Sequence, residues 1–291
     1  MKTSGRLLGV VFICTLGLTL AACSGTVKGK VTDKSSGKPV QGAVVQVGTK
    51  TATTAADGTY VIQGVPTGSY GAKATHQGYA DAAGKVQVKR GTNSLDLVLE
   101  DGSLRVKLQE NAVVREPIKN AVVKLDGSKM TASTSQSFVM EDVLLGDHKL
   151  VVHAPNHEAF RATVSVQAGP NTEKAALSLT PEATYMRYYD AYRFGRYRQA
   201  YLFLHPVVRK HYPYAKFAAD ERSGGETLGL QLFGTHYLAK WRAAYANKTF
   251  KHVAAIDRAL RIQTAFGNYT DNRTQHWQSI KGRWYIIFDW H

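Results

Sequence analysis

Four kinds of side chain in this sequence have the chemistry to react, and their spacing decides what each can do. Asp190, Asp257 and Asp289 lie in the aromatic-rich last third of the chain, where a buried carboxylate could serve as a general acid or base. No aspartate–tyrosine spacing around them builds such a site residue by residue, so they read as surface or helix-capping carboxylates. His148, His153 and His157 share one segment, but His153 and His157 flank a Pro155-Asn156 turn rather than one helix face. They read as solvated loop histidines, and no metal site is expected. Tyr189, Tyr192 and Trp284 would suit a pocket for a flat or apolar ligand, with hydroxyls to orient it, and equally suit the core of a small domain. The thiols are Cys14 and Cys23. No Gly-rich phosphate loop, nucleophile elbow or paired-carboxylate hydrolase signature accompanies them, and no cofactor is expected.

Cys23 has the most specific surroundings. Lys2 and Arg6 precede an uncharged run from Leu7 to Leu20, which is too short and wrongly flanked for a stable transmembrane helix. Leu20-Ala21-Ala22-Cys23 closes the run and resembles a bacterial lipobox. That resemblance implies cleavage before Cys23, acylation of its thiol and attachment to a membrane through lipid. Ser24 follows, and the absence of Asp there implies the outer membrane in a Gram-negative cell. In a Gram-positive cell the same signal implies the outer face of the cell membrane. With Cys14 in the discarded peptide and Cys23 lipidated, no pair remains for a disulfide. Cysteine nucleophiles and thiolate metal sites are excluded as well.

These residues must be positioned by more than one domain, because 269 residues follow Ala22 and exceed the usual single core. The chain carries 37 Lys and Arg against 22 Asp and Glu, a net charge of +15. A basic exported protein near a membrane suits anionic headgroups or cell-wall polymer, or is merely soluble. Nucleic acid is excluded by compartment and by the lack of any motif. Of the 29 aromatic residues, 23 lie in 181–291, and Pro181 marks the change. Residues 24–180 are rich in Val, Thr, Gly, Ala and Lys, with turn signals at short intervals, as in an all-β sandwich.

The β-rich part repeats itself. Lys38-Pro39-Val40-Gln41-Gly42-Ala43-Val44-Val45 matches Glu116-Pro117-Ile118-Lys119-Asn120-Ala121-Val122-Val123 at an offset of 78. The same offset pairs Tyr60 with Phe138, Gly68 with Gly146, Val86 with Val164 and Gly91 with Gly169. Two tandem copies of one sandwich follow. In the first, Asp57-Gly58 signals a hairpin between Thr51–Thr54 and Tyr60–Ile62. The second copy has Ser135-Gln136 there, which predicts a looser turn. Gly29-x-Val31, Gly37-x-Pro39-Val40-x-Gly42-Ala43-x-Val45, Asp57-Gly58-x-Tyr60 and Val65-Pro66-x-Gly68-x-Tyr70, then Gly78-Tyr79, resemble carboxypeptidase regulatory-like domains. The resemblance implies a seven-stranded, Ig- or transthyretin-like sandwich with a carbohydrate-binding-like fold. It implies no particular function, since the module decorates many exported proteins.

In the last part, Tyr185, Tyr188, Tyr189 and Tyr192 fall at helical spacing, Gly195 interrupts, and Tyr197, Ala200, Tyr201 and Leu204 resume it. A further helix is expected over Pro206–Tyr212. Strands follow the glycines at 224–225, ending in a hairpin from Gln275–Ile280 through Lys281-Gly282 to Arg283–Trp290. Ala191-Tyr192-x-x-Gly195-x-Tyr197-x-x-Ala200-Tyr201 and Gly282-Arg283-Trp284-Tyr285-Ile286 resemble the nuclear transport factor 2-like superfamily. That resemblance implies an α+β cone, often with a pocket, and dimerisation through the sheet. It also raises an isomerase site, for which no residue set is present. Asn247-Lys-Thr249 and Asn268-Tyr-Thr270 fit the glycosylation pattern and are coincidental in a bacterial lipoprotein.

The expected organisation is therefore a signal peptide over 1–22, a carboxypeptidase regulatory-like sandwich over 23–100 and a second sandwich over 101–180. An α+β domain follows over 181–291. The expected function is that of a non-catalytic, lipid-anchored envelope protein. It would act as a structural or protein-interaction module, with a protein or glycan partner or a homodimer through the last domain. The alternative is a binding protein for a glycan, peptide or small apolar ligand, held by the sandwich loops or the C-terminal pocket.

Overall fold

The computed structural model describes residues 23–223, 226–243 and 248–287. Leu20, Ala21, Ala22, Asn247, Asp289 and Trp290 lie outside them. The chain divides into two compact units, one ending at Glu100 and the other running from Asp101 onward.

In the first unit, period-2 alternation of Val and Ala writes the strands directly, because successive side chains leave opposite faces of the sheet. β1 (Ser24–Asp33) buries Val27 and Val31, and β2 (Val44–Val47) buries Val45 and Val47. There follow β3 (Lys50–Thr53), β4 (Thr59–Pro66), β5 (Gly68–Thr75), β6 (Ala82–Val88), β7 (Gly91–Ser94) and β8 (Leu97–Leu99). One sheet runs β4-β1-β7 with β8 also on β1, and the other runs β3-β2-β5-β6. The inward rows of both sheets, including Val45, Tyr60, Ala74 and Leu99, form one core.

The second unit opens with the same plan. Its strands are β9 (Gly102–Asn111), β10 (Val122–Leu125), β11 (Ser128–Lys129), β12 (Thr131–Thr134) and β13 (Ser137–Val143). β14 (Gly146–His153), β15 (Phe160–Val166) and β16 (Gly169–Ser178) complete the sandwich. The sheets are β12-β13-β9-β16 and β11-β10-β14-β15. β16 runs parallel to β9 in unbroken register from Gly169↔Gly102 to Ser178↔Asn111. The offset of 78 holds for most later strands, while β9 sits one residue earlier against β13, so that Val27 and Leu104 take the same place at an offset of 77.

Two expectations about the repeat are corrected. Asp57-Gly58 is not a hairpin: β3 pairs with β2 and β4 with β1, so the turn carries the chain between sheets. The Thr54 side chain accepts from Ala43 N at 2.8 Å and donates to Val40 O at 2.6 Å, holding the end of β3 against the preceding loop. Gly58 then sits at φ 77°, where an added Cβ would stand 2.6 Å from Val31 O. In the second copy the expected loose turn is a tight hairpin, with β12 pairing β13 up to Thr134↔Ser137. Gln136 N donates to Thr134 Oγ1 at 3.3 Å across it.

A helical segment and an antiparallel sheet complete the unit. Thr180 caps α1 (Pro181–Arg193) by accepting from Ala183 N, with Pro181 in the first turn. The tyrosine stripe points inward as its spacing requires. α2 (Tyr197–Leu202) and α3 (Pro206–His211) follow, with His205 accepting from Val207 N at 3.1 Å to start α3. α4 (Tyr214–Ser223) was not expected, because only Phe217 and Ala218 anchor it. The sheet β17 (Glu226–Ala243), β18 (Lys248–Thr264), β19 (Gly267–Ile280) and β20 (Arg283–Ile287) is antiparallel in chain order. Tyr185, Tyr188, Phe203, Phe217, Ile256 and Trp277 form its core with the helices. Among the described residues no helix is long and apolar enough to cross a membrane.

Candidate binding groove on the second sandwich

The two sandwiches differ where the third strand of the pattern runs. In the first copy β3 is whole and stays on β2. In the second, β11 keeps only two residues on β10, and after Met130 the chain crosses to β13 as β12. The crossing leaves a groove of about 800 Å³ between loop 117–121 and the β12 hairpin. Its size falls in the usual range for ligand sites. Ile118, Met130 and Phe138, all buried, form the floor. Gln136 fixes the loop, accepting from Ile118 N at 3.1 Å and donating to Ile118 O at 2.6 Å. Lys119, Lys129, Thr131 and Thr134 form an exposed rim. Among the described residues no carboxylate, histidine or cysteine lines the groove.

The same sandwich carries a buried ionic cluster at its contact with α1. β9 places Leu104, Val106, Leu108 and Glu110 inward in strict alternation, so an acid ends an apolar row. Arg187 answers it with two charge-assisted hydrogen bonds, Nη1 to Oε2 at 2.6 Å and Nη2 to Oε1 at 2.7 Å. His157 Nε2 lies 3.0 Å from Oε1, and Glu116 N donates to Oε2 at 2.7 Å. Burial alone would raise the Glu110 pKa, but Arg187, Glu116 N and His157 outweigh it and hold it below the ordinary value. Asn111 extends the contact, donating to Lys281 O at 2.8 Å and accepting from Arg283 Nε at 2.8 Å. Gly282 is required beside it: at φ 75° its Cβ would meet Ser178 Oγ at 2.5 Å.

Histidine expectations change accordingly. His157 is not solvated, its side chain being 6% exposed beside Glu110. His148 pairs with Asp126 at 2.7 Å; burial would lower its pKa, but that contact and Leu144 O raise it overall. His153 is exposed. Each paired histidine holds a carboxylate of its own.

Of the aromatic candidates, Tyr189 is buried, and its hydroxyl finds no hydrogen-bond partner among the described residues. Tyr192 stacks on Tyr188 at 6.3 Å, and Tyr197 meets it edge-on at 6.4 Å. Trp284 is buried, its indole donating to Glu158 at 3.4 Å. Tyr192 and Trp284 pack with the core under the helices. Glu221, missed in the sequence, is pushed up to about 7 by burial, with a Tyr192 hydrogen bond opposing. Arg258 is buried among these groups and donates to Asp271 Oδ2 at 2.8 Å. Asp190 is half-buried on α1, while Asp257 accepts from Thr274 Oγ1 at 2.6 Å at the surface. A second concavity, about 600 Å³, lies on the sheet beside Gln231, Phe233, Arg261 and Asn272.

Cys23 is exposed and unpaired by any disulfide, its sulfur accepting from Arg90 Nη2 at 2.7 Å. Lys129, Glu110 and Arg187 carry no site role in the sequence, while Lys119 enters there only through the repeat and Gln136 only as a turn residue. Only Glu110 left a signal, as an acid at an inward position of an alternating strand.

Comparison with known proteins bears on the fold. No curated protein matches the chain. Among solved structures, the Bacillus anthracis TIE protein is 15% identical with a TM-score of 0.39, over 52% of this chain and 33% of that one. This chain thus spans a third of that protein's length. The minor pilin of Streptococcus agalactiae is 11% identical with a TM-score of 0.30, over 54% and 97%. Fervidolysin from Fervidobacterium pennivorans, a keratinolytic enzyme related to subtilisin, is 11% identical with a TM-score of 0.29, over 53% and 30%. The model of the carboxypeptidase regulatory-like domain matches residues 26–100. The first sandwich is accordingly a carboxypeptidase regulatory-like domain, set in a multidomain β-sandwich protein whose helical segment leads into a C-terminal antiparallel sheet.

Proposed function

We propose that this chain is a lipid-anchored envelope protein that works without catalysis, as an interaction module whose contact surface is the groove of the second sandwich. The observation that carries this reading is the lining of that groove: apolar floor, basic and hydroxyl rim, and no titratable group suited to acid–base work. The anchor is Cys23, acylated after cleavage at Leu20-Ala21-Ala22, with the outer membrane as destination in a Gram-negative cell. Residues 181–291 form a nuclear transport factor 2-like domain in this reading, supported by helices that precede and cover a four-stranded sheet.

The test is photo-crosslinking in cells from a probe at Lys129, with the equivalent position of the first copy, Thr51, as control. Both positions are exposed. Adducts with an envelope protein from 129 and none from 51 are expected. Equal labelling, or none, overturns the reading. Metabolic labelling with palmitate tests the anchor, and Cys23→Ala should abolish both label and membrane retention.

A second reading has its own observation. The concavity on the C-terminal sheet combines Phe233, 63% exposed, with Arg261, Gln231 and Asn272, a set suited to an anionic sugar or lipid headgroup. Native mass spectrometry on the gently purified chain tests it: an added mass lost in Phe233→Ala supports that site, and a bare chain removes it.

A further inference from the structure

We propose that the groove of the second sandwich takes an extended peptide bearing an acidic side chain, which adds as a strand along the open edge of β12. This rests on the groove being the interaction surface, and it names the partner chemistry.

The edge is the first argument. β12 terminates one sheet and β11 terminates the other, so two open main-chain edges border the groove. An edge strand leaves alternate N–H and C=O groups unpaired, which invites another chain unless charge or proline blunts it. Thr131-Ala132-Ser133-Thr134 carries neither, and all four residues are exposed; the pairing with β13 shifts register at Ser133, so Thr131 and Ala132 form the regular part of the edge. Among the described residues no strand pairs with its outer side. At about 3.4 Å per residue the edge accepts a segment of roughly four to six residues.

The lining selects the class of partner. Lys119 and Lys129 stand on the rim, and neither forms an ion pair among the described residues. With no carboxylate in the groove, the local field favours an acid on the incoming chain. The floor is aliphatic apart from the buried Phe138, so it offers no exposed aromatic face on which a sugar ring could stack. The first copy acts as an internal control. It holds Gln41 and Thr51 where the second holds Lys119 and Lys129, and its β3 remains on β2. The basic rim and the crossed strand arrive together in the second copy.

The test uses the full chain in detergent and two hexapeptide pools, randomised except for a central Asp in one and a central Lys in the other. Retention of the Asp pool about tenfold over the Lys pool is expected, from two exposed pairs each worth a fraction of a factor of ten plus the matching repulsion. Backbone N-methylation of alternate residues should abolish retention, and bound peptide should slow hydrogen exchange at amides 131–134. Lys119→Glu with Lys129→Glu should invert the preference. Both residues are exposed, so the fold should survive. Equal retention of the pools, or retention that tolerates N-methylation, overturns the proposal. Concentration-dependent dimers that protect the same amides would overturn it in favour of a second copy of the chain. Crosslinks from position 129 without retention of any pool would refute strand addition while leaving the interaction reading standing.

Discussion

The two sandwiches are one pattern written twice; they share their inward rows and diverge in the path of the third strand and in the polar residues at strand ends. The inward rows correspond at an offset of 78: Val45 with Val123, Ala74 with Val152, Val86 with Val164, and Leu99 with Leu177. The polar positions take different partners. The register puts Asp33 opposite Leu99 as Glu110 is opposite Leu177, but Asp33 accepts from Ser36 where Glu110 receives Arg187, and Lys34 stands where Asn111 holds Lys281 and Arg283. Tyr60 donates to Leu95 O at 2.6 Å, and Phe138 in its place has no hydroxyl to do so. Gly48 against the Tyr70 ring becomes Asp126 paired with His148. Hydrophobic alternation therefore sets the architecture of each copy, while a few polar substitutions decide what each copy grips.

The comparison can be broken most forcefully at Arg187. Its truncation to Ala strands a carboxylate that is 1% exposed, at a cost of about 3–5 kcal/mol. Every tryptophan of the chain lies beyond residue 180, so tryptophan fluorescence during urea unfolding reads the second unit directly. Asp33→Ala at the place corresponding to Glu110 removes hydrogen bonds from Ser36 but strands no buried charge, and should move the first unit by only about 1 kcal/mol. The same pair predicts a pH dependence. The pKa of Glu110 is depressed in the fold, so its contribution is present above the unfolded carboxylate value and is lost as pH falls through the folded one. Urea midpoints should therefore drop on acidification below about pH 4.3. Glu110→Gln should flatten that part of the profile.

Next in size is the sheet crossing. Gly58→Ala forces a Cβ against Val31 O at a positive φ and should cost about 1–3 kcal/mol, read by far-ultraviolet dichroism on denaturation. Gln136→Leu should cost about 1–2 kcal/mol, by leaving the Ile118 amide and carbonyl without partners. It should also loosen the groove loop, seen as faster hydrogen exchange at 117–121. Tyr60→Phe should cost about 1 kcal/mol, bringing the first copy to the state the second already occupies.

The smallest effect is expected at His148. Its pKa is raised in the fold, so the ion pair contributes below the unfolded histidine value and is lost as pH rises through the folded one. In an imidazole NMR titration His148 should lose its proton above the ordinary histidine value, and Asp126→Asn should bring it back down. No such histidine exists at the matching place in the first copy, which holds Tyr70.

Much of this was legible in order of periodicity. Val27 and Val31, or Leu104 and Val106, declare their face because a strand has no other way to bury alternate side chains. The tyrosines of α1 declare theirs at 3.6-residue spacing, with Thr180 and Pro181 marking the start. α4 stayed hidden because Lys216, Asp220, Glu221 and Arg222 surround its two buried anchors, leaving no apolar stripe to detect. His157 was misread as solvated because its partner, Glu110, is 47 residues away. The hairpin at Asp57-Gly58 was misread because a turn signal fixes the bend but not which strand receives the chain afterward.

By itself the sequence determined the repeat, the sandwich of each copy and the first helices, since all are written in neighbouring residues. Only the tertiary structure decided which sheet takes the strand after Met130. It alone brought Lys119 and Lys129 to one groove and set Glu110 against Arg187. Those outcomes depend on distances across the fold, and local spacing carries no information about charges that meet only after the core has formed.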